Sequence, residues 1–233
     1  MKNANFQISR WTIGALALLA VASAVFYYFP QIDLFFAREM YLGDGKFLLS
    51  DSKLAAFFHG PLDMAIKGGF AVAFLVYLIL CAIKFKIPRQ VHEKLWVLFG
   101  TIIVAELVII NWLLKNHWGR PRPVQLAEFS GRAAGTAEHN AHFEPAWRMS
   151  HECISNCSFT SGHAANVACL ALLALFLPPR WRPLGTVLAV IFVIVVGFMR
   201  MSRGAHFLSD VTISPLIVLA TAMIIKDVLK IKA

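Results

Sequence analysis

The chain has 233 residues, 58% of them hydrophobic, with a mean hydropathy of +0.66. Soluble domains average roughly 45–50% apolar residues, so a pair of soluble domains is excluded and one integral membrane domain over residues 1–233 is expected. The net charge of +9 does not point to nucleic acid. The basic residues collect at the ends of apolar runs, where membrane topology and anionic lipids favour them.

Behind a polar tail with Lys2 and Arg10, residues 11–29 form a first apolar run near the roughly 20 residues that cross a bilayer. Val21-Ala22-Ser23-Ala24 resembles a signal-peptide cleavage site, but the runs that follow make this one a retained anchor. Residues 30–63 set Leu34, Phe35, Phe36, Tyr41, Phe47 and Phe57 among charges. That pattern suits amphipathic helices lying in the interface, or a plain covering loop. Residues 64–83 form the second span. A basic connection follows, with Lys84, Lys86, Arg89 and Lys94, and then the third span at 95–114. Glu106 lies inside that span, where a charge facing lipid costs about 3 kcal/mol; it is expected to face the bundle.

Residues 115–160 are a long polar loop. Within it Cys153 and Cys157 stand close enough in sequence to form a disulfide if the loop faces an oxidising compartment. A zinc site is the weaker reading, because no second cysteine pair is present. Cys81 and Cys169, inside apolar runs, read as packing residues. The fourth span, 161–177, stops at Pro178-Pro179; the fifth is 183–198 and the sixth 207–225. The expected fold class is therefore all-α: an integral membrane six-helix bundle with amphipathic interfacial helices after the first span. Six crossings put both termini on one side. The short, densely basic segments on that side make it cytoplasmic.

Three stretches carry candidate chemistry. Residues 199–210 place Arg200, His206 and Asp210 in order. With a helix from 207 onward, His206 and Asp210 share a face. A carboxylate there can fix one imidazole nitrogen and leave the other as nucleophile or base. The bland alternative is a capping histidine and a snorkelling arginine. Lys115 and Arg122 flank a turn stiffened by Pro121 and Pro123, an anion clamp or merely a juxtamembrane basic cluster. Ser161-Gly162-His163 opens the fourth span: a capped helix start that aims backbone N–H groups at an anion, or an ordinary N-cap. In a six-span layout the third span ends, the fourth starts, the fifth ends and the sixth starts on one face. The eight residues can then share a pocket on the non-cytoplasmic side. No carboxylate cluster suited to a divalent metal accompanies them, so no metal or other cofactor is expected and metal-independent phosphoryl transfer is the implied chemistry.

Lys115-x6-Arg122-Pro123, Ser161-Gly162-His163 and Arg200-x5-His206-x3-Asp210 resemble the three signature motifs of the type 2 phosphatidic acid phosphatase superfamily. The resemblance implies that His206 is a nucleophile that becomes phosphorylated, Asp210 orients it, and His163 is the acid and then the base. It implies that Lys115, Arg122, Ser161, Gly162 and Arg200 hold the phosphate. Two positions depart from the family pattern, Thr160 where proline usually precedes Ser-Gly-His and Met199 where serine usually precedes the arginine. The fuller strings His-Trp-Gly-Arg-Pro-Arg-Pro-Val at 117–124, Asn-Cys-Ser-Phe at 156–159 and Met-Arg-Met-Ser-Arg-Gly-Ala-His-Phe-Leu-Ser-Asp at 199–210 look most like the branch that removes the 4'-phosphate of lipid A. The implied partners are a phosphorylated membrane lipid and the bilayer, with no obligate protein partner, and the implied site is the bacterial inner membrane with the pocket facing the periplasm. His139, His142, His151, Arg132, Arg148 and Arg203 are further candidates for a headgroup. The competing readings are a phosphatase for undecaprenyl diphosphate or phosphatidylglycerophosphate, a lipid phosphotransferase, and a non-catalytic binder or carrier of an anionic lipid, which would need only the cations.

Overall fold

The computed structural model describes residues 7–131 and 140–231; Lys2, Arg132, His139 and Lys232 lie outside the described residues. Its helices are α1 (Arg10–Tyr28), α2 (Gln31–Glu39), α3 (Lys53–His59), α4 (Pro61–Ala82), α5 (Arg89–Thr101), α6 (Lys115–His117), α7 (Gly162–Ala171), α8 (Arg182–Met201) and α9 (Leu208–Val228). α5 runs into α6 through wider, π-type turns at Ile102–Leu114. A two-stranded hairpin, Tyr41–Gly43 with Lys46–Phe47, links α2 to the α3 region and was not expected from the sequence.

Among the described residues, five helices are long and apolar enough to cross a membrane: Arg10–Tyr28, Lys53–Ala82, Arg89–His117, Pro179–Met201 and Leu208–Val228. The outer faces are apolar. In α4 the buried residues are Asp63, Phe70 and Tyr77, seven apart and so one stripe, while Val72, Leu75, Val76 and Ile79 face out. α8 exposes Val187, Leu188, Val190, Ile191 and Ile194 in the same way. Apolar exposure on this scale belongs against lipid. The chain is a multi-pass membrane protein with an all-helical bundle.

The expected fourth span is shorter than the rest. α7 has 10 residues and a 3-10 segment, Leu172–Phe176, adds 5. At roughly 1.5 and 2.0 Å per residue this rises about 25 Å, short of the ~30 Å hydrocarbon core. It ends where the sequence indicated, at Pro178-Pro179, with Leu177 forced into extended geometry. Ala164, Ala165, Asn166, Val167, Ala168 and Cys169 are all buried, so neighbouring helices sheathe its first part, while Leu173, Phe176 and Leu177 face out. Other boundaries also move. The basic residues Arg89 and Lys94 belong to α5, which starts behind Pro88. Arg200 lies in the last turn of α8 rather than beyond it. Cys81 is exposed rather than packed.

Two sets of bonds fix how the ends meet. At one face the Ser9 N–H and the Thr12 hydroxyl donate to Asp227 Oδ2 at 2.7 and 2.6 Å, tying the start of α1 to the end of α9. At the other, Cys157 N–H donates to the Lys115 carbonyl (3.1 Å), Ser158 N–H to the Arg120 carbonyl (2.8 Å) and Ser161 N–H to the Asp210 carbonyl (3.2 Å). The end of α6 and the starts of α7 and α9 are thereby gathered. Gly119 permits the turn between α6 and this loop. Its φ is +74°, and a Cβ there would lie 1.8 Å from the Ser150 carbonyl oxygen. Cys153 and Cys157 are joined by a disulfide across the rim.

Candidate active site

The pocket is built from the start of α7 upward. Ser161 caps that helix, its hydroxyl accepting the Ala164 N–H at 3.4 Å, and Ser214 of α9 donates to the Ser161 carbonyl at 2.7 Å. A Cβ on Gly162 would stand 3.2 Å from Asn111 Oδ1 and 3.5 Å from Lys115 Nζ, so the bare glycine lets the ammonium close on the helix start. Lys115 Nζ also reaches Asn156 Oδ1 at 3.3 Å. Arg122 Nη2 donates to the Asn156 carbonyl (2.9 Å) and to its Oδ1 (3.2 Å). One amide oxygen therefore sits between the two cations. Arg200 is buried; its Nη1 donates to His59 Nδ1 at 2.6 Å, and its Nε has no hydrogen-bond partner among the described residues.

His206 is buried, one residue before the N-cap of α9. Here the structure corrects the sequence reading. The imidazole Nδ1 donates to the Ser158 carbonyl at 2.9 Å, while Asp210 Oδ2 lies 3.5 Å away. The carboxylate is already occupied. Oδ1 accepts from Arg120 Nη1 at 2.7 Å, and Oδ2 accepts the Phe207 N–H at 2.8 Å and the Ser158 hydroxyl. A carbonyl can only accept, so Nδ1 carries the proton and Nε2 holds a lone pair. Nε2 has no partner among the described residues. Burial first, and then the positive charges of Arg200, Arg122 and Lys115 with His163, push His206 well below the usual histidine range. The ring is neutral at pH 7.

His163 stands in the first turn of α7. Its Nε2 lies 2.9 Å from the His59 carbonyl, 3.0 Å from His59 Nδ1 and 3.7 Å from Asp63 Oδ2. Its Nδ1 is buried without a partner among the described residues. Asp63 is held by Lys67 Nζ (2.8 Å) and Asn166 Nδ2 (2.7 Å).

The structure thus brings Lys115, Arg122, Ser161, Gly162, His163, Arg200, His206 and Asp210 into one cluster. Sequence reasoning missed His59, Asp63, Asn156, Ser158, Arg120 and Asp33. Asp63 and Arg120 had a visible signal, a carboxylate beside a span and a second arginine inside Gly-Arg-Pro-Arg-Pro. The others had none. Of the further candidate cations, Arg203 lies close enough to Arg200 and His59 for their charges to interact. Arg148 instead pairs with Glu144 at 3.5 Å, largely exposed, and the His142 N–H donates to Glu152. Glu106 does face the bundle, in the wall of a cavity of about 480 Å³ between α4 and the α5 extension.

Membrane-length helices that gather a buried imidazole and three cations at one end define an integral membrane protein with a cationic, histidine-bearing site. The PAP2 superfamily model matches residues 93–231, and the chain belongs to that superfamily. It is 33% identical to the lipid A 4'-phosphatase of Rhizobium etli, with 95% of this chain and 87% of that one aligned. It is 29% identical to the lipid A 4'-phosphatase of Francisella tularensis subsp. novicida, with 80% and 81% aligned. Among solved structures it is similar in fold to the transmembrane PAP2-type phosphatidylglycerolphosphate phosphatase of Bacillus subtilis, with a TM-score of 0.56, 18% identity and 96% and 98% of the two chains covered.

Proposed function

We propose that this protein is a metal-independent lipid phosphatase that removes the 4'-phosphate of lipid A. It works through a phospho-histidine at the periplasmic face of a bacterial inner membrane, with both termini cytoplasmic. The observation that carries the proposal is His206 Nε2: a neutral nitrogen with a free lone pair, beside Lys115, Arg122 and Arg200. In the first step Nε2 bonds to phosphorus as the P–O bond to the sugar breaks. His163, entering this step as the imidazolium, gives one proton to the departing oxygen and is left neutral. In the second step His163 takes a proton from water, whose oxygen displaces His206 and yields inorganic phosphate. Lys115, Arg122, Arg200 and the N–H groups at the start of α7 hold the phosphoryl oxygens as charge builds on them. Asp210 holds the His206 loop and faces the cationic ring that phosphorylation creates.

The lipid substrate is supported by the cavity lined by Lys67, Phe70, Phe74, Glu106 and Asn111. Its volume falls within the roughly 300–1,000 Å³ of ligand sites. Asn111, in its wall, also lies beside Gly162, so one side chain separates the apolar space from the start of α7. The test is phosphate release by the detergent-purified protein, with chelator present, from lipid A, phosphatidylglycerophosphate and undecaprenyl diphosphate in parallel. Lipid A is expected to lose its 4'-phosphate fastest. Faster release from either other lipid would keep the chemistry and overturn the substrate.

A further inference from the structure

Arg120 lies two residues before the phosphate-side Arg122, yet it makes no contact with the cation cluster. Its side chain is wholly buried, and every nitrogen is used. Nε donates to the Glu144 carbonyl at 2.8 Å, Nη1 to Ser209 Oγ and Asp210 Oδ1 at 2.7 Å each, and Nη2 to Asp33 Oδ2 at 2.8 Å. The guanidinium also stands 4.3 Å from the centre of the Phe207 ring. Asp33, on α2, is equally buried and accepts the Ser209 N–H at 2.8 Å and the Ser209 hydroxyl at 2.6 Å. The Arg120 carbonyl accepts the Ser158 N–H at 2.8 Å.

These bonds close around His206. Ser158 holds the imidazole through its carbonyl and Asp210 through its hydroxyl; the Arg120 guanidinium holds Asp210, and its backbone carbonyl holds the Ser158 N–H. The Asp210 and Asp33 carboxyl groups both accept from this one guanidinium, and burial holds Asp33 above the usual carboxylate range. Burial alone would push Arg120 down, but the Asp210 and Asp33 carboxylates outweigh it and hold Arg120 above the ordinary guanidinium range.

We infer that Arg120, braced by Asp33 from the interfacial helix α2, is a positioning residue: it sets Asp210 and Ser158, and through them the placement and tautomer of His206. This role rests on the proposed phosphoryl transfer at His206. It also makes α2 part of the catalytic apparatus rather than a cover over the bundle.

The role separates kcat from KM, because the phosphate-holding groups are other residues. We would compare wild type, Asp33→Asn, Arg120→Lys, Ser209→Ala and His206→Ala in detergent. The readouts are kcat and KM for phosphate release from lipid A, the inhibition constant of inorganic phosphate, and the melting temperature. Arg120→Lys keeps the charge but cannot bridge Asp33 and Asp210 with a fork. Misplacing a reacting group by about 1 Å costs about 100-fold. Arg120→Lys and Asp33→Asn are therefore expected to lower kcat on that scale, with KM and the phosphate constant within about threefold. Ser209→Ala is expected to lower kcat several-fold at an unchanged melting temperature. Folded Asp33→Asn or Arg120→Lys protein with wild-type kcat would overturn the role. So would a rise in KM at constant kcat, which would place Arg120 among the phosphate ligands. If those two variants fail to fold, Ser209→Ala decides: unchanged kcat contradicts the role. Release by wild type and its loss in His206→Ala keep the two claims apart, since an inactive wild type would sink the phosphatase reading and this role with it.

Discussion

His206→Ala is expected to cut phosphate release by about four orders of magnitude or more, the scale seen when a nucleophile is removed. The loss is chemical rather than structural. The ring makes one hydrogen bond, to the Ser158 carbonyl, and the Asp210 network stays satisfied without it. The alanine protein should therefore fold and still bind inorganic phosphate at Lys115, Arg122 and Arg200. Inorganic phosphate release by wild type and variant at saturating lipid A measures the effect. A residual rate within tenfold of wild type would mean that another group attacks phosphorus.

Arg200→Ala carries the second largest effect, a fall in kcat/KM of about 100- to 1,000-fold, as expected for one oxyanion-stabilising donor. Arg200 is the most buried of the three site cations, and its Nε is uncommitted. Without substrate its Nη1 rests on His59, a neutral acceptor that a phosphate oxygen can displace. The interaction strengthens as charge builds on the phosphoryl oxygens, so kcat should fall along with binding. Arg200→Lys keeps the charge but loses the planar fork and is expected to recover only part of the rate. Steady-state kinetics on lipid A settle the matter, and an Arg200→Ala protein with unchanged kcat/KM would remove Arg200 from the site.

The sequence reading and the structure agree where one physical rule controls the outcome. Apolar runs of membrane length located the long helices, and Lys115, Ser161, Arg200 and His206 do meet at one end of the bundle. The prolines at 121 and 123 and the cap at Ser161 marked where helices stop and start. The reading failed where long-range contacts decide. His206 turns to the Ser158 carbonyl because Arg120, Phe207 and Ser158 already occupy Asp210, and no local pattern reports a backbone acceptor 48 residues away. Asp33 and His59 come from a segment read as an interfacial cover, since its amphipathic pattern gives no sign of which polar residues turn inward.

The claim that His206 forms a covalent bond to phosphorus is open to one direct measurement. Lipid A labelled with radioactive phosphorus at the 4'-position would be mixed with the purified protein, quenched in alkali within milliseconds, and the labelled peptide mapped. The account predicts label on His206, stable in alkali and released by acid, as a phosphorus–nitrogen bond requires, and absent from His206→Ala. Turnover that proceeds without label on His206, or with label on another residue, would contradict it.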